Sequence, residues 1–212
     1  MRHLNAVDQI LTQADHALRT IFGQPPITER TNPAVDFENE PLTESQRKQA
    51  AGLMRVNHSG EVSAQALYQG QALTAKLENV RDSMTRAAME ENDHLAWTEQ
   101  RIQELNSHKS LLNPLWYSGS FAIGALAGAL GDRWSLGFVA ETEHQVIRHL
   151  EDHLQRLPEG DRKSRAVLEQ MKLDEAHHAT VALENGGADL PWPVKKLMAA
   201  MSKVMTTTAY YI

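Results

Sequence analysis

The sequence predicts an all-α protein built from two long antiparallel helical hairpins, with short extra helices at either end. Three observations carry this. Apolar residues recur at three- and four-residue spacing over long stretches. Strand signals are nearly absent, with no alternating apolar run and no Asn-Gly hairpin turn. Proline and glycine cluster at a few places that cut the chain into helix-length pieces.

Residues 4–21 read as a short amphipathic helix, with Val7, Ile10, Leu11, Ala14, Leu18 and Ile21 at helical spacing. Pro25, Pro26 and Pro33 break the pattern, and the stretch to about Pro41 reads as an irregular connection. Thr43 and Ser45 are candidate caps for a long helix running to about Leu77. A turn near Glu78–Asn79 leads to a second helix, about Val80 to Asn106, and Asn113 and Pro114 end this half. Leu115 to Leu130 is apolar, but shorter than the ~20 residues of a membrane span and interrupted by Gly119, Gly124 and Gly128. A re-entrant, interfacial or buried-core segment is expected there. Helices follow from about Arg133 to Leu157 and from about Asp161 to Glu184, separated by Pro158, Glu159 and Gly160. Gly186 and Gly187 end the latter, and Pro191 and Pro193 open a last helix, about Val194 to Thr208. The expected organisation is an N-terminal helix and arm (1–42), the bundle (43–186) and a C-terminal helix with a membrane-facing option (187–212).

Composition narrows the function. A chain of 212 residues with 42% hydrophobic and 23% charged residues can bury a core as one domain. A net charge of −6 with no long basic run argues against a nucleic-acid partner. The absence of cysteine excludes disulfides, thiolate metal sites and cysteine nucleophiles, and fits a reducing compartment. Asp8 and Asp15 interrupt the place where a signal peptide would need an unbroken apolar run.

The chemistry lies in Glu-x-x-His pairs, whose members share a helix face and can reach one metal. About one such pair is expected by chance in a chain this long. This chain has three, Glu91/His94, Glu141/His144 and Glu175/His178, with Asp174/His177 overlapping the last. Faces separate them. Glu91 and His94 continue a stripe of Met84, Ala87, Ala88, Leu95 and Thr98; Glu175 and His178 continue Leu168, Met171, Ala179 and Ala182. Glu141 shares its face with Gly137, Gln145, Arg148 and Asp152, a solvated pattern, and is set aside as surface. Glu143 instead lies among Leu136, Val139, Ala140, Val146, Ile147, Leu150 and Leu154, and Glu61 among Met54, Ala64, Tyr68 and Ala72.

A buried ionised carboxylate costs several kcal/mol or more unless it is paired or metal-bound. Lys and Arg are scarce on these faces, so a metal is the simplest counter-charge. Glu61 and Glu91 are 30 residues apart around the first bend, and Glu143 and Glu175 are 32 apart around the second. In each hairpin both glutamates lie ~13–17 residues from the bend, so at 1.5 Å per residue they reach about the same level. Each hairpin thus offers one Glu and one Glu-x-x-His, the ligand set of ferritin-like di-iron and di-manganese bundles. Asp93, Asp174 and His149 are candidates for an outer ring. A solvated Asp is the alternative for the first two. His149, oblique to Glu143, is favoured as a satisfied structural histidine, and Tyr68 reads as packing. Carboxylates with one imidazole per ion suit iron or manganese.

The stretches RVNHSGEVSAQALYQGQ, EENDHLAW, VAETEHQVIRHLEDHL and DEAHHA resemble the demethoxyubiquinone hydroxylase family of ubiquinone biosynthesis, from about Arg55 to Ala182. The resemblance carries over Glu61, Glu91, His94, Glu143, Glu175 and His178 as ligands, the six that the faces select. It implies a ferritin-like four-helix bundle, two iron ions rather than manganese, and a quinol monooxygenase. Its substrates would be molecular oxygen and a polyprenylated demethoxy-quinol (2-polyprenyl-3-methyl-6-methoxy-1,4-benzoquinol). It further implies a peripheral protein on the cytoplasmic face of a bacterial cell membrane, with a homo-oligomer or other ubiquinone-biosynthesis proteins as candidate partners. Leu115–Leu130 and the last helix, with Trp192, Leu197, Met198, Met201, Val204 and Met205 beside Lys195, Lys196 and Lys203, could dock at an anionic interface; bundle packing is the alternative. Iron storage or detoxification and a dimetal peroxidase are the competing functions of the same site.

Overall fold

A computed structural model describes residues 6–23 and 25–212. Among the described residues there are seven helices and no strand: α1 Ala6–Phe22, α2 Glu44–Thr74, α3 Glu78–Glu104, α4 Asn113–Ala129, α5 Asp132–Arg156, α6 Arg162–Glu184 and α7 Trp192–Ala209. Local chemistry sets most of the boundaries. Thr43 caps α2 in a capping box with Gln46, and Asp161 caps α6 by accepting from Ser164 N. Gly186, with φ +93°, carries the chain out of α6 in a conformation that favours glycine. α7 starts before the expected Val194 because Pro193 sits in its first turn, where a missing N–H costs nothing. The bend between α2 and α3 falls at 75–77 rather than at Glu78–Asn79. Asp132 fixes it from the other half of the chain, accepting from Lys76 N at 3.0 Å and Leu77 N at 2.9 Å.

α2 pairs with α3 and α5 with α6, and α3–α6 and α2–α5 contacts join the two hairpins. The interior is layered. One apolar cluster holds Leu53, Met54, Ile102, Leu150, Leu168 and Met171; another holds Tyr68, Val80, Met84, Leu136 and Val139. Along every long helix the predicted ligand positions fall between these two layers.

α4 is neither a span nor a buried core helix. No helix among the described residues is long and apolar enough to cross a membrane. Its glycine face is pressed onto α2. A Cβ on Gly124 would lie 2.2 Å from the Leu67 carbonyl oxygen, and one on Gly70 would lie 2.3 Å from that of Phe121. The opposite face exposes Leu115, Leu126 and, just past the helix end, Leu130. The α1 stripe is only partly used: Ile21 packs with Ala17 on Val62, Ala66, Leu95 and Tyr117, whereas Leu11 and Leu18 are exposed. The side chains of Val7 and Ile10 lie outside those described.

Two buried histidines away from the central cluster give the fold a pH dependence. Burial, with Lys109 nearby, depresses His58 to about 3. Burial, with His149 and Arg156, depresses His153 to about 4, and its Nδ1 lies 2.9 Å from Asn57 Oδ1. The unfolded chain takes up these protons near 6.5 and the folded chain does so only at lower pH. Their contribution is therefore complete above about 6.5 and is lost as pH falls from there, through about 4 for His153 and about 3 for His58. A His153→Gln protein is expected to lose about 2 kcal/mol less than the parent between neutral pH and the mid-4s, measured by denaturant unfolding across pH.

Candidate metal centre

α2 supplies Glu61, α3 Glu91 and His94, α5 Glu143, and α6 Glu175 and His178; all six are buried. The structure brings them together. One candidate ligand atom each from Glu61, Glu91, His94 and Glu175 lies within 4.8 Å of the others, and the same holds for Glu91, Glu143, Glu175 and His178. Glu91 and Glu175 belong to both groups. Both histidines turn Nδ1 inward. His94 Nδ1 lies 3.2 Å from Glu91, 3.4 Å from Glu175 and 3.6 Å from Glu61; His178 Nδ1 lies 3.2 Å from Glu175 and 3.3 Å from Glu91.

The outward nitrogens meet carboxylates exchanged between the hairpins. His94 Nε2 of α3 is 2.8 Å from Asp174 of α6, and His178 Nε2 of α6 is 2.6 Å from Glu90 of α3. An Nε2–H donated to each carboxylate leaves the Nδ1 lone pair aimed at the cluster. Asp174 stands immediately before Glu175, and Glu90 immediately before Glu91. Sequence reading picked Asp174 and missed Glu90, although that matching position was the signal for it.

Asp93 touches neither histidine; it accepts from Thr28 N and Thr28 Oγ1 at 2.8 and 2.6 Å. His149 lies 3.0 Å from Ser202 Oγ on α7. The Tyr68 ring is buried among apolar residues as expected, but its hydroxyl also donates to Glu143. Glu141 is corrected. It is only 7% exposed, accepts from Gln145 and Arg148, and pairs with Lys195. α7 covers a face that looks solvated when α5 is read alone.

The electrostatics separate the six groups. Burial and the charge of Glu91 push Glu61 well up, and burial and the charge of Glu175 push Glu143 well up. Burial also works against the charge on Glu91, but bonds to Glu61 and both histidines hold it well down. Against burial, Glu91 and Asp174 hold His94 well above the ordinary histidine range, and Glu175 and Glu90 do the same for His178. Asp174 is drawn down to about 2, burial being outweighed by His94 and Arg30. Protons are thus shared among groups that cannot all be ionised. The arrangement fits two divalent cations. Glu143 Oε2 is buried without a hydrogen-bond partner, and Glu91 Oε1 is buried with only the His178 imidazole, at 3.3 Å, facing it. Four carboxylates with two neutral imidazoles also carry the charge that two such ions balance.

Glu61 opens sideways onto an apolar groove of about 550 Å³ between α2, α4, α5 and α7, lined by Leu67, Trp116, Phe138, Val146, Leu197 and Met201. His149 and Thr142 lie on the same wall.

A dodecameric thioferritin, the bacterioferritin-related protein of Bacteroides fragilis, shares the fold at TM-score 0.56. The match covers 65% of this chain and 84% of that one at 18% identity, so it establishes a ferritin-like bundle and no more. The family described as Ubiquinone biosynthesis protein COQ7 matches residues 48–209. This chain belongs to the COQ7 family. Its relatives named 3-demethoxyubiquinol 3-hydroxylase include that of Nitrosococcus oceani, 61% identical over 211 residues, covering 100% of this chain and 99% of the relative. That of Acinetobacter baumannii is 58% identical over 212 residues, with both chains fully covered. That of Nitrosomonas eutropha is 56% identical over 206 residues, 97% of this chain and 99% of the relative. The COQ7 segment begins after the arm, whereas alignment to the first two of these relatives extends through it.

Proposed function

We propose that this protein is a di-iron monooxygenase of ubiquinone biosynthesis that hydroxylates the ring of a polyprenylated demethoxy-quinol. The observation that carries the reading is the junction of the buried carboxylate–imidazole cluster with the apolar groove at Glu61. The relatives' shared name supports the substrate class. The net change is quinol, O2, two electrons and two protons to hydroxylated quinol and water, with the electrons drawn from an external reductant.

Glu61, Glu91, His94 and Glu175 would hold one iron, and Glu91, Glu143, Glu175 and His178 the other. Bound iron would supply the activation of molecular oxygen. The protein's part is to hold, orient and exclude. Asp174 and Glu90 keep both imidazoles turned inward. The Tyr68 hydroxyl fixes Glu143. The two apolar layers keep water from the cluster. In this reading the ring would lie beside Glu61 and Thr142 and the prenyl tail along Phe138, Leu197 and Met201, all of which line the groove.

The tail would leave toward lipid. Exposed Leu115, Leu126 and Leu130 of the α4 region and Trp192, Leu197, Met201 and Val204 of α7, with lysines alongside, support docking on the cytoplasmic face of a cell membrane.

The reading is tested with purified protein loaded with Fe(II), given demethoxyubiquinol, a reductant and 18O2. The expected product carries one 18O in a new ring hydroxyl, detected by mass spectrometry. Loaded protein that leaves the quinol unchanged while forming a mineral core, or consuming peroxide, would replace the reading with storage or peroxidase chemistry.

A further inference from the structure

The arm that precedes the bundle lies across α3 and α6 at the level of the histidines. Pro26 carbonyl accepts from Asn92 Nδ2 at 2.9 Å, and Thr28 ties to Asp93 through its backbone N–H and hydroxyl. Between them they deliver Arg30 to one place. Its guanidinium donates through Nη2 to Asp174 Oδ2, the oxygen that faces His94 Nε2. Nη1 stands 3.7 Å from Asp93. The same guanidinium lies 5.0 Å above the Trp97 ring, whose centroid is 5.5 Å from that of His94. Gln170 takes the other oxygen of Asp174 at 2.9 Å. Arg30 therefore touches both groups that fix the His94 imidazole, its hydrogen-bond acceptor and its ring neighbour.

The other histidine has no direct clamp of this kind: His178 Nε2 meets Glu90, which makes no ion pair with a lysine or arginine among the described residues and feels the Arg30 charge only from beyond ion-pair distance. The two halves of the centre are alike in their ligands and unlike in their outer support.

We infer that Arg30 is a positioning residue: through Asp174 and Trp97 the N-terminal arm holds the His94 imidazole in its inward-facing orientation, on one side of the centre only. The inference rests on the di-metal reading of the six residues. An arginine suits the task because its planar fork grips a carboxylate while its face stacks on an indole, which a lysine cannot do.

The test is Mn(II) titration of the purified full-length chain, with a fluorescent chelator as competitor. Parent protein is expected to bind two ions in resolvable steps. Parent protein that bound no Mn(II) would overturn the di-metal reading itself, before the arm is in question. In Arg30→Gln protein one step is expected to weaken about tenfold while the other stays put, in line with outer-sphere partners of metal ligands. Arg30→Lys is expected to fall between the two. In an Asp174→Asn background, Arg30→Gln is expected to add less than it costs alone, since the hydrogen-bonded route to His94 is already cut and only the Trp97 contact is left to lose. Equal weakening of both steps, full additivity with Asp174→Asn, or unchanged affinities in folded Arg30→Gln protein would each overturn the inference. Circular dichroism confirms folding of every variant.

Discussion

Glu143→Gln protein is expected to lose turnover by on the order of 10³-fold or more while melting no earlier than the parent when neither holds metal. The two halves of this expectation have one cause. Glu143 is buried, its Oε2 lacks a partner, and burial with the charge of Glu175 already pushes its carboxyl toward the neutral form. A neutral amide of the same size therefore replaces a neutral acid at little cost. Only when a cation arrives does the carboxylate's charge become favourable, and only then is it missed. Metal analysis is expected to show weakened binding on the His178 side. Differential scanning calorimetry before and after Fe(II) addition separates the effects: the parent's midpoint rises strongly with iron and the variant's far less. A variant that melted much earlier without metal would show that Glu143 holds the bundle together in its own right.

The second large effect is expected far from the ligands. Gly124→Leu is expected to cost about 3 kcal/mol, roughly 10 °C in melting temperature for a chain of this size. The obstruction is the backbone carbonyl of Leu67, which cannot rotate aside as a side chain could. α4 must lift from α2, and with it Trp116 and Ile123, which wall the groove. A higher quinol KM should accompany the lost stability. Gly119→Ala is the control. A Cβ there meets nothing within 4 Å, so the substitution is expected to be neutral or to stabilise by a few tenths of a kcal/mol through helix propensity.

These cases show where sequence reading reaches. Helix content, the two hairpins and the layered interior follow from periodicity and from breakers such as Pro158 and Gly186, which act locally. The candidate ligands could be sought because two independent criteria, inward faces and equal distance from a bend, converge on Glu61, Glu91, His94, Glu143, Glu175 and His178. What stayed out of reach depends on contacts between remote segments. Glu90 bonds a histidine 88 residues away, Arg30 an aspartate 144 away, and Tyr68 a glutamate 75 away. Glu141 misleads for the same reason, because its cover comes from α7. A face judged on one helix cannot reveal a neighbour that only the folded chain supplies.

The exchange of carboxylates between the hairpins has a consequence for how the protein comes into being. Asp174 serves the imidazole of the first half, and Glu90 that of the second. Neither half finishes its own histidine, so cation capture has to follow docking of the halves and cannot guide each one separately.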